Sequence, residues 1–141
     1  MARLFFSALL ATLALILLTG ASNHPNKADP PSGDCVWMCG NTCYWLTDVH
    51  AAMHEGHKLQ ASGQGNDPES YPHQYNNNEN FEFPTPAPWY EFPIMSTYTL
   101  YKGGNPGPDR IIFDNDGQLE ALLTHSGAST EDGFVMCDHT A

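Results

Sequence analysis

Residues 110–125 have the sequence RIIFDNDGQLEALLTH, in which two apolar segments flank a turn. Residues 110–113 are rich in β-branched and aromatic side chains, and residues 119–125 return as a second apolar segment. Between them, the segment DNDG at residues 114–117 contains the aspartate, asparagine and glycine that favour tight turns. The stretch therefore predicts two antiparallel strands joined by a short turn.

Further strands are predicted on both sides of this hairpin. Residues 89–95 (WYEFPIM) and residues 134–137 (FVMC) are short segments of strand-forming side chains. Residues 22–33 and the polar stretch that ends at Ser70 show no such pattern and are predicted to be irregular. The region after Ser70 is therefore expected to be dominated by strands.

One helix is predicted, over residues 48–60. Thr47 and Asp48 are suitable N-cap residues. A stripe of apolar and small residues follows at helical spacing, at Val49, Ala52, Met53 and Gly56. One helix followed by strands with short turns is typical of an α+β domain, with the helix packed on an antiparallel β-sheet.

The N-terminal segment has the pattern of a secretory signal peptide, predicted over residues 1–21. Arg3 provides a positive charge, residues 4–18 are almost uninterruptedly apolar, and small residues follow. A membrane anchor is the alternative, but about 15 apolar residues are fewer than the roughly 20 that a bilayer requires. We expect a secreted, extracellular protein without a membrane partner, with a flexible extension over residues 22–33 and one domain over residues 34–141.

Four cysteines lie in the expected domain, at Cys35, Cys39, Cys43 and Cys137. An even number in an exported chain implies two disulfides, with three possible connectivities. A zinc site is the alternative, which the cysteine spacing and an oxidising compartment disfavour. A disulfide from the N-terminal cluster to Cys137 would close a loop of about 100 residues, which stabilises by about 4–5 kcal/mol in the chain-entropy model.

The charge balance is strongly acidic, with 16 aspartates and glutamates against 5 lysines and arginines and a formal net charge of −11. The basic residues beyond the signal segment are Lys27, Lys58, Lys102 and Arg110. Proteins that bind nucleic acid through many phosphates carry a basic face, which this chain cannot form. If RNA is the substrate, we expect a pocket that recognises it over very few nucleotides.

Three titratable residues in the strand region are candidates for catalysis: Glu91, Arg110 and His125. Each one alone is most simply a strand residue that faces water. A carboxylate, a guanidinium and an imidazole on one face of a sheet would form a general acid–base site with an anion clamp. Spacing alone does not show that they share a face.

Three histidines, His50, His54 and His57, fall on one side of the predicted helix. This arrangement resembles a transition-metal site. It lacks the glutamate of the zinc-protease motif, so a solvated helix face is the favoured interpretation and no metal is predicted.

The polar, aromatic segment YPHQYNNNE at residues 71–79 is either a surface turn or a base-binding pocket. Aromatic rings stack on bases, and a carboxylate accepts hydrogen bonds from the N1–H and N2–H groups of guanine.

Five segments resemble the fungal guanyl-specific ribonuclease family, in order along nearly the whole expected domain. They are DCVWMCGNTCY at residues 34–44, SYPHQYNN at 70–77, YEFPI at 90–94, PDR at 108–110 and THSGAS at 124–129. The resemblance implies one helix packed on an antiparallel sheet. It also implies the disulfides Cys35–Cys43 and Cys39–Cys137.

The resemblance further implies a division of catalytic roles. Glu91 matches the base that takes the proton of the ribose 2′-OH, and His125 matches the acid that protonates the departing 5′-oxygen. The supporting residues are His73 and Tyr71, which hold the charge balance of the site and assist the base, and Arg110 and Phe134, which face and pack against the phosphate. Cationic donors would stabilise the transferring phosphoryl group without a metal or other cofactor.

Base recognition in the family implies a second set of residues here, at Tyr75, Asn76, Asn77, Asn78 and Glu79. Asn78 stands where the family has a second aromatic that covers the base. The loop over residues 130–133 also differs in composition from the corresponding loop of the family and is one residue longer than it. The loss of one stacking face reduces the free energy of base binding by roughly 1–3 kcal/mol. We therefore expect a guanine preference with weakened base affinity.

The expected activity is therefore endonucleolytic cleavage of single-stranded RNA after guanosine, by a monomer, through a 2′,3′-cyclic phosphate that is later hydrolysed to a 3′-phosphate. The main alternative is a weakly active or inactive secreted RNA-binding or effector protein on the same scaffold. A metallohydrolase that uses the helix histidines is a second alternative. A toxin for one ribosomal site would be expected to carry long basic loops, which this acidic chain lacks.

Overall fold

The computed structural model describes residues 34–65 and 70–140. The predicted signal peptide and the predicted extension at residues 22–33 lie outside the described residues. In the described part of the chain, no helix is both long and apolar enough to cross a membrane.

The described residues form one α-helix and two antiparallel sheets. Helix α1 spans Leu46–Ala61. The strands are β1 (Trp37–Cys39), β2 (Thr42–Tyr44), β3 (His73–Tyr75), β4 (Trp89–Pro93), β5 (Asp109–Asp114), β6 (Leu119–Thr124), β7 (Val135–Met136) and β8 (Asp138–His139). The small sheet has the order β2-β1-β8, and the large sheet has the order β3-β4-β5-β6-β7. The predicted α+β class with a helix on an antiparallel sheet is confirmed.

The helix begins two residues earlier than predicted. Trp45 is the N-cap residue, and its backbone N–H donates to the carboxylate of Asp48 at 3.1 Å. The prediction that Thr47 and Asp48 cap the helix is therefore wrong, because both lie in the first turn. Asp48 still stabilises that turn, as its carboxylate satisfies a backbone donor at the positive end of the helix.

The predicted hairpin is present as β5 and β6, with Ile111 opposite Leu122. Its turn is held by Asp114, whose Oδ1 accepts backbone N–H groups from Asp116 and Gln118 at 2.9 and 2.8 Å. Every residue of β5 is buried, which places this strand at the centre of the fold.

The other strand ends differ from the prediction. Strand β4 stops at Pro93 instead of Met95, and β7 holds only two residues of the predicted segment. His125, predicted to end a strand, lies just beyond β6. His125 therefore lies in the loop that follows β6.

The small sheet was not predicted, because its strands have only two or three residues each. Two disulfides hold it: Cys35–Cys43 has a sequence separation of 8, and Cys39–Cys137 has a separation of 98. We call these the short-range and the long-range disulfide. The pairing that the family resemblance implied is confirmed.

The large sheet separates two apolar clusters. On one face, α1 packs through Val49, Ala52 and Gly56. A Cβ on Gly56 would lie 3.0 Å from the Cβ of Phe92, so the absence of a side chain allows the close approach. The second cluster, on the opposite face, is formed by Tyr75, Ile112, Ala121 and Leu123, with Phe81, Phe83, Trp89 and Phe134 packed around it. This second face carries the candidate site.

Candidate active site

Strand register brings His73, Glu91 and Arg110 to the same face of the large sheet. His73 lies opposite Glu91, and Arg110 lies opposite Pro93, two residues along β4 from Glu91. Because side chains alternate between faces along a strand, these three project to one side. Glu91 and Arg110, two of the three titratable candidates identified in the sequence, are thus brought together.

The carboxylate of Glu91 lies between two cationic groups. Its Oε1 is 2.5 Å from Nε2 of His73, and its Oε2 is 3.6 Å from Nε of Arg110. Glu91 is 8% exposed, so this charge is held away from most of the solvent. Oε2 and the Arg110 Nε have no hydrogen-bond partner among the described residues. The hydrogen bond to Glu91 raises the pKa of His73, against the opposing effect of burial.

Arg110 is fixed by the carbonyls of its own loop. Its Nη1 donates to the carbonyl oxygens of Gly107 and Asp109 at 2.8 and 2.9 Å, and its Nη2 donates to the hydroxyl of Tyr71 at 2.8 Å. The Tyr71 ring lies 4.9 Å from the guanidinium carbon and stacks on His73 at 4.6 Å. Burial raises the pKa of Tyr71, so its hydroxyl remains protonated. The cationic groups are therefore oriented before any substrate binds.

His125 approaches from the loop after β6. Its ring stacks on Phe134 with centroids 3.9 Å apart, and its Nδ1 is 2.8 Å from the carbonyl oxygen of Gly133. A carbonyl only accepts, so Nδ1 carries the proton of this bond. Nε2 is the ring nitrogen that this bond leaves available to a ligand. Phe134 thus supports the imidazole directly.

A cavity of about 580 Å³ opens beside the Glu91 carboxylate. All five predicted base-binding residues line it, together with three of the predicted catalytic residues: Tyr75, Asn76, Asn77, Asn78 and Glu79, with His73, Glu91 and Phe134. Gln74, Tyr90 and Asp132 also line the cavity. Gln74 and Tyr90 have no role in the sequence-based prediction, whereas Asp132 belongs to the loop over residues 130–133 that the prediction associates with base recognition. The loop of predicted base-binding residues (residues 75–79, called the base loop below) and the Glu91 carboxylate therefore share one cavity.

Two hydrogen bonds hold the carboxylate of Glu79 in place. Its Oε2 accepts the hydroxyl hydrogen of Tyr75 at 2.7 Å, and its Oε1 accepts the backbone N–H of Phe134 at 3.0 Å. Asn77 adopts a positive φ of 52°, and its side-chain amide bonds to both the N–H and the carbonyl of Phe81. These bonds fix the loop conformation.

Two of the predicted base-binding positions, residues 75 and 78, expose little aromatic surface. Tyr75 is only 5% exposed, and its ring packs edge-on against Phe134 at 6.0 Å. Asn78, at the position expected to lack an aromatic, is exposed. These two positions therefore offer little aromatic surface to a bound base in this conformation.

The helix histidines lie apart from this face. His50 and His54 are exposed, as a solvated helix face predicts, and the ring of His57 packs edge-on against Phe113. Among the residues that the structure describes, no cluster of three or more histidine, cysteine, aspartate or glutamate side chains is placed to hold a metal ion.

Comparison with known proteins identifies this arrangement. A family model described as ribonuclease matches residues 32–138. A guanyl-specific ribonuclease of Aspergillus phoenicis is 50% identical over 103 residues, which cover 73% of this chain and 95% of that protein. The chain belongs to the fungal guanyl-specific ribonuclease family. A further member, a guanyl-specific ribonuclease of Aspergillus oryzae, is 41% identical over 128 residues, which cover 91% of this chain and 95% of that protein.

The chain is also similar to a ribonuclease of known structure. The ribonuclease from Hericium erinaceus is 35% identical with a TM-score of 0.50, covering 75% of this chain and 99% of that chain. Membership in the guanyl-specific ribonuclease family confirms the prediction of a guanine-preferring endoribonuclease that acts on RNA. The roles of individual residues stay predictions.

Proposed function

We propose that this ribonuclease cleaves single-stranded RNA after guanosine, with Glu91 as the general base and His125 as the general acid. The observation that carries the proposal is the buried Glu91 carboxylate, held between His73 and Arg110 at the wall of a cavity lined by the base loop. A carboxylate within hydrogen-bond reach of a substrate hydroxyl can accept its proton. The cavity is in the size range of small-ligand pockets.

The reaction follows from these positions. Glu91 accepts the proton of the guanosine 2′-OH as O2′ attacks phosphorus, and the P–O5′ bond breaks. Nε2 of imidazolium His125 donates its proton to the departing O5′, so charge and protons balance. The product is a 2′,3′-cyclic phosphate. Water then opens it to a 3′-phosphate with the two proton-transfer roles reversed.

Three further groups stabilise the negative charge of the transferring phosphoryl group. Arg110 and imidazolium His73 stabilise the negative charge that develops on the phosphoryl oxygens, and the hydroxyl of Tyr71 adds a polar group beside them. Because loop carbonyls hold the guanidinium and Glu91 holds the imidazole, these groups need little reorganisation during the reaction. Phe134 keeps the His125 ring in place through the stacked contact.

Guanine recognition is assigned to Glu79 and the backbone of Asn76 and Asn77. An ionised carboxylate has about four acceptor positions. Glu79 uses two of them for Tyr75 and Phe134 and can accept two more hydrogen bonds from N1–H and N2–H of guanine. Asn78 supplies no ring, so the base is bound mainly through hydrogen bonds.

We also propose that the enzyme acts outside the cell as a monomer. The signal-peptide pattern at residues 1–21 and the two disulfides both fit an oxidising environment. The exposed large apolar side chains of the described part are scattered, at Leu46, Leu100 and Met136, which is ordinary for a monomer surface. Light scattering of the purified protein measures the oligomeric state, and a dimer mass would contradict the proposal.

The residue assignments are tested by paired substitutions. Glu91→Gln and His125→Ala are each expected to lower kcat/KM on a guanosine-containing oligoribonucleotide by about 10²–10⁴-fold, the usual contribution of general acid–base groups. Matched controls are Glu82→Gln and His50→Ala, which change exposed residues outside the cavity. Equal activity of the Glu91 and Glu82 variants would refute the assignment of the base. A folded wild type that cleaves no RNA would instead favour the RNA-binding alternative.

A further inference from the structure

Two histidines of helix α1 form a pair that the proposed mechanism does not use. His50 and His54 lie four residues apart within Leu46–Ala61, so both belong to continuous helix. Side chains at positions i and i+4 lie one above the other on the same helix face, with Cβ atoms about 5–6 Å apart. Helix α1 packs on the face of the large sheet opposite to the candidate site, so the pair is separated from Glu91 by the sheet.

Both imidazoles are available to a ligand. His50 and His54 are exposed, and neither makes a hydrogen bond, an ion pair or a ring contact with another residue that the structure describes. Thr47 and Ala51, which precede them by three residues on the same face, are small and exposed. Exposure to solvent therefore leaves both rings free to turn towards a common ligand.

His57, the third histidine on this side of the helix, is held by other contacts. Its ring packs edge-on against Phe113 with centroids 6.4 Å apart, and a Cβ built on Gly117 would lie 2.6 Å from its Nδ1. The ring is therefore held against the β5–β6 turn and is not free to join His50 and His54. This agrees with the finding that no cluster of three metal-binding side chains occurs in the part of the chain that the structure describes.

The charges around the pair favour a cation. Lys58 lies one turn beyond His54, and its ammonium is 3.1 Å from the carboxylate of Glu55. The chain as a whole has a formal net charge of −11. A strongly negative protein raises the local concentration of cations at its surface. A divalent cation is therefore attracted to this surface, and the neighbouring ammonium group is already paired.

We propose that His50 and His54 bind one divalent transition-metal ion between their imidazole nitrogens, with water completing its coordination. Imidazole is a ligand for Zn²⁺, Cu²⁺ and Ni²⁺, and the two histidines of the zinc-protease motif have this same spacing on a helix. Affinity at a given site generally rises from Ni²⁺ to Cu²⁺ and falls again at Zn²⁺, so we expect Cu²⁺ to bind most tightly. Because the sheet separates the pair from Glu91, the ion has no part in the cleavage reaction.

The expected consequence is a stability that depends on the metal. A ligand that binds the folded chain more tightly than the unfolded chain stabilises the fold, and one ion can bridge both imidazoles only while α1 is formed. At a Cu²⁺ concentration about tenfold above the Kd, we expect the Tm of the wild type to rise by about 5 °C. This rise should be smaller in variants that lack either histidine of the pair.

Titration of the full mature protein with Cu²⁺ tests the proposal. Calorimetry measures the Kd, and paramagnetic broadening of the histidine ring signals in NMR spectra locates the ion. His54→Gln should weaken binding at this site by about 10²-fold, because the helix no longer holds two ligands together. His139→Gln is the matched control, because it removes an exposed histidine outside α1 and should leave this binding unchanged.

A rescue variant tests the spacing itself. His50→Gln should also lose the site, and adding Lys58→His to it places two histidines four residues apart again, one turn further along the helix. The double variant should recover a Kd close to that of the wild type. No recovery in the double variant would contradict the role assigned to the spacing.

The NMR spectra decide between a paired site and other modes of binding. Broadening of the His50 signal in the wild type that disappears in His54→Gln supports the proposal. Broadening of His139 equal to that of His50 and His54 would overturn it, because single exposed histidines would then suffice. Broadening confined to His73 and His125 would also overturn it. None of these measurements uses RNA cleavage, so a failure of the proposed function would leave their outcome unaffected.

Discussion

The hydroxyl of Tyr44 makes a buried hydrogen bond whose removal has a predictable cost. It donates to Oδ2 of Asp109 at 2.6 Å and lies 3.2 Å from the carbonyl oxygen of Ile94. Burial and the adjacent Asp109 carboxylate raise the pKa of Tyr44, so the hydroxyl stays protonated as a donor. Tyr44 and Asp109 are 0% and 1% exposed, and Oδ1 of Asp109 has no hydrogen-bond partner among the described residues.

Tyr44→Phe removes this donor and leaves the ring in place. A hydrogen bond to a charged group contributes about 1.5–3 kcal/mol, and a buried carboxylate without its donor is costly. We therefore expect the free energy of unfolding to fall by about 2–3 kcal/mol. For a domain of this size, the corresponding decrease in Tm is about 10 °C. The groups assigned to catalysis are untouched, so kcat/KM below the unfolding transition should not change.

Thermal and urea unfolding, followed by circular dichroism at pH 7, measure this effect. Tyr101→Phe is the matched control, because it deletes an exposed hydroxyl that donates to the carbonyl of Gly104. The control should lose no more than about 0.5 kcal/mol. If the Tyr44 variant is destabilised no more than the control, the buried carboxylate does not depend on Tyr44 and the reasoning is refuted.

Three other predictions concern the base cavity, the ion pair and the disulfides. Asn78→Tyr should lower the Kd for guanosine 2′-phosphate by about tenfold, because it restores a stacking face; calorimetry that finds an unchanged Kd would contradict this. Because the pKa of His73 is raised in the folded state, its stabilising contribution is fully present below about pH 6.5 and is lost as the pH rises through the folded value. The difference in unfolding free energy between wild type and His73→Gln should therefore shrink from pH 6 towards pH 9. Urea titrations at several pH values measure this difference, and a difference that does not change with pH would exclude the ion pair as its cause. Alanine substitution of both cysteines should destabilise by about 4–5 kcal/mol for the long-range disulfide and about 2–3 kcal/mol for the short-range one, and the reverse order would count against the chain-entropy model.

The parts of the fold with a strong local pattern could be predicted from the sequence. The β5–β6 hairpin follows from two apolar segments around a turn sequence, and α1 follows from one apolar stripe. The small sheet could not be predicted in this way. Its strands have two or three residues, and the long-range disulfide joins segments whose separation is 98 residues. Tertiary pairing and not local preference determines those strands.

The candidate site likewise has a part that the local sequence predicts and a part that depends on tertiary structure. Glu91, Arg110 and His125 stand out as titratable residues in an apolar strand region. That Glu91 and Arg110 share a face depends on the register of β4 and β5, which sequence spacing does not specify. Only the family resemblance assigned His73 to the same group. Asp132 lines the base cavity, and the sequence indicated its loop over residues 130–133 as a departure from the family pattern but did not indicate which side chain of that loop reaches the cavity.

The local signals predict the segment that forms the helix but not the residue at which the helix begins. Asp48 was predicted as a cap because aspartate commonly accepts backbone N–H groups at helix starts. It does accept one, from Trp45, but from within the first turn. The same carboxylate chemistry therefore fits two helix starts, and the local sequence does not distinguish between them.

The most direct test of the proposed mechanism is the chemistry of the first cut. A defined single-stranded oligoribonucleotide that contains all four bases is digested briefly by the full mature protein in excess chelator, and each new 3′ end is identified by mass spectrometry. The proposed mechanism predicts cuts after guanosine, with 2′,3′-cyclic phosphates that precede 3′-phosphates. Equal cutting after all four bases would contradict the role of Glu79 and its loop. New ends that carry a free 3′-hydroxyl from the outset would contradict attack by the 2′-oxygen, and with it the central assignment of Glu91 and His125.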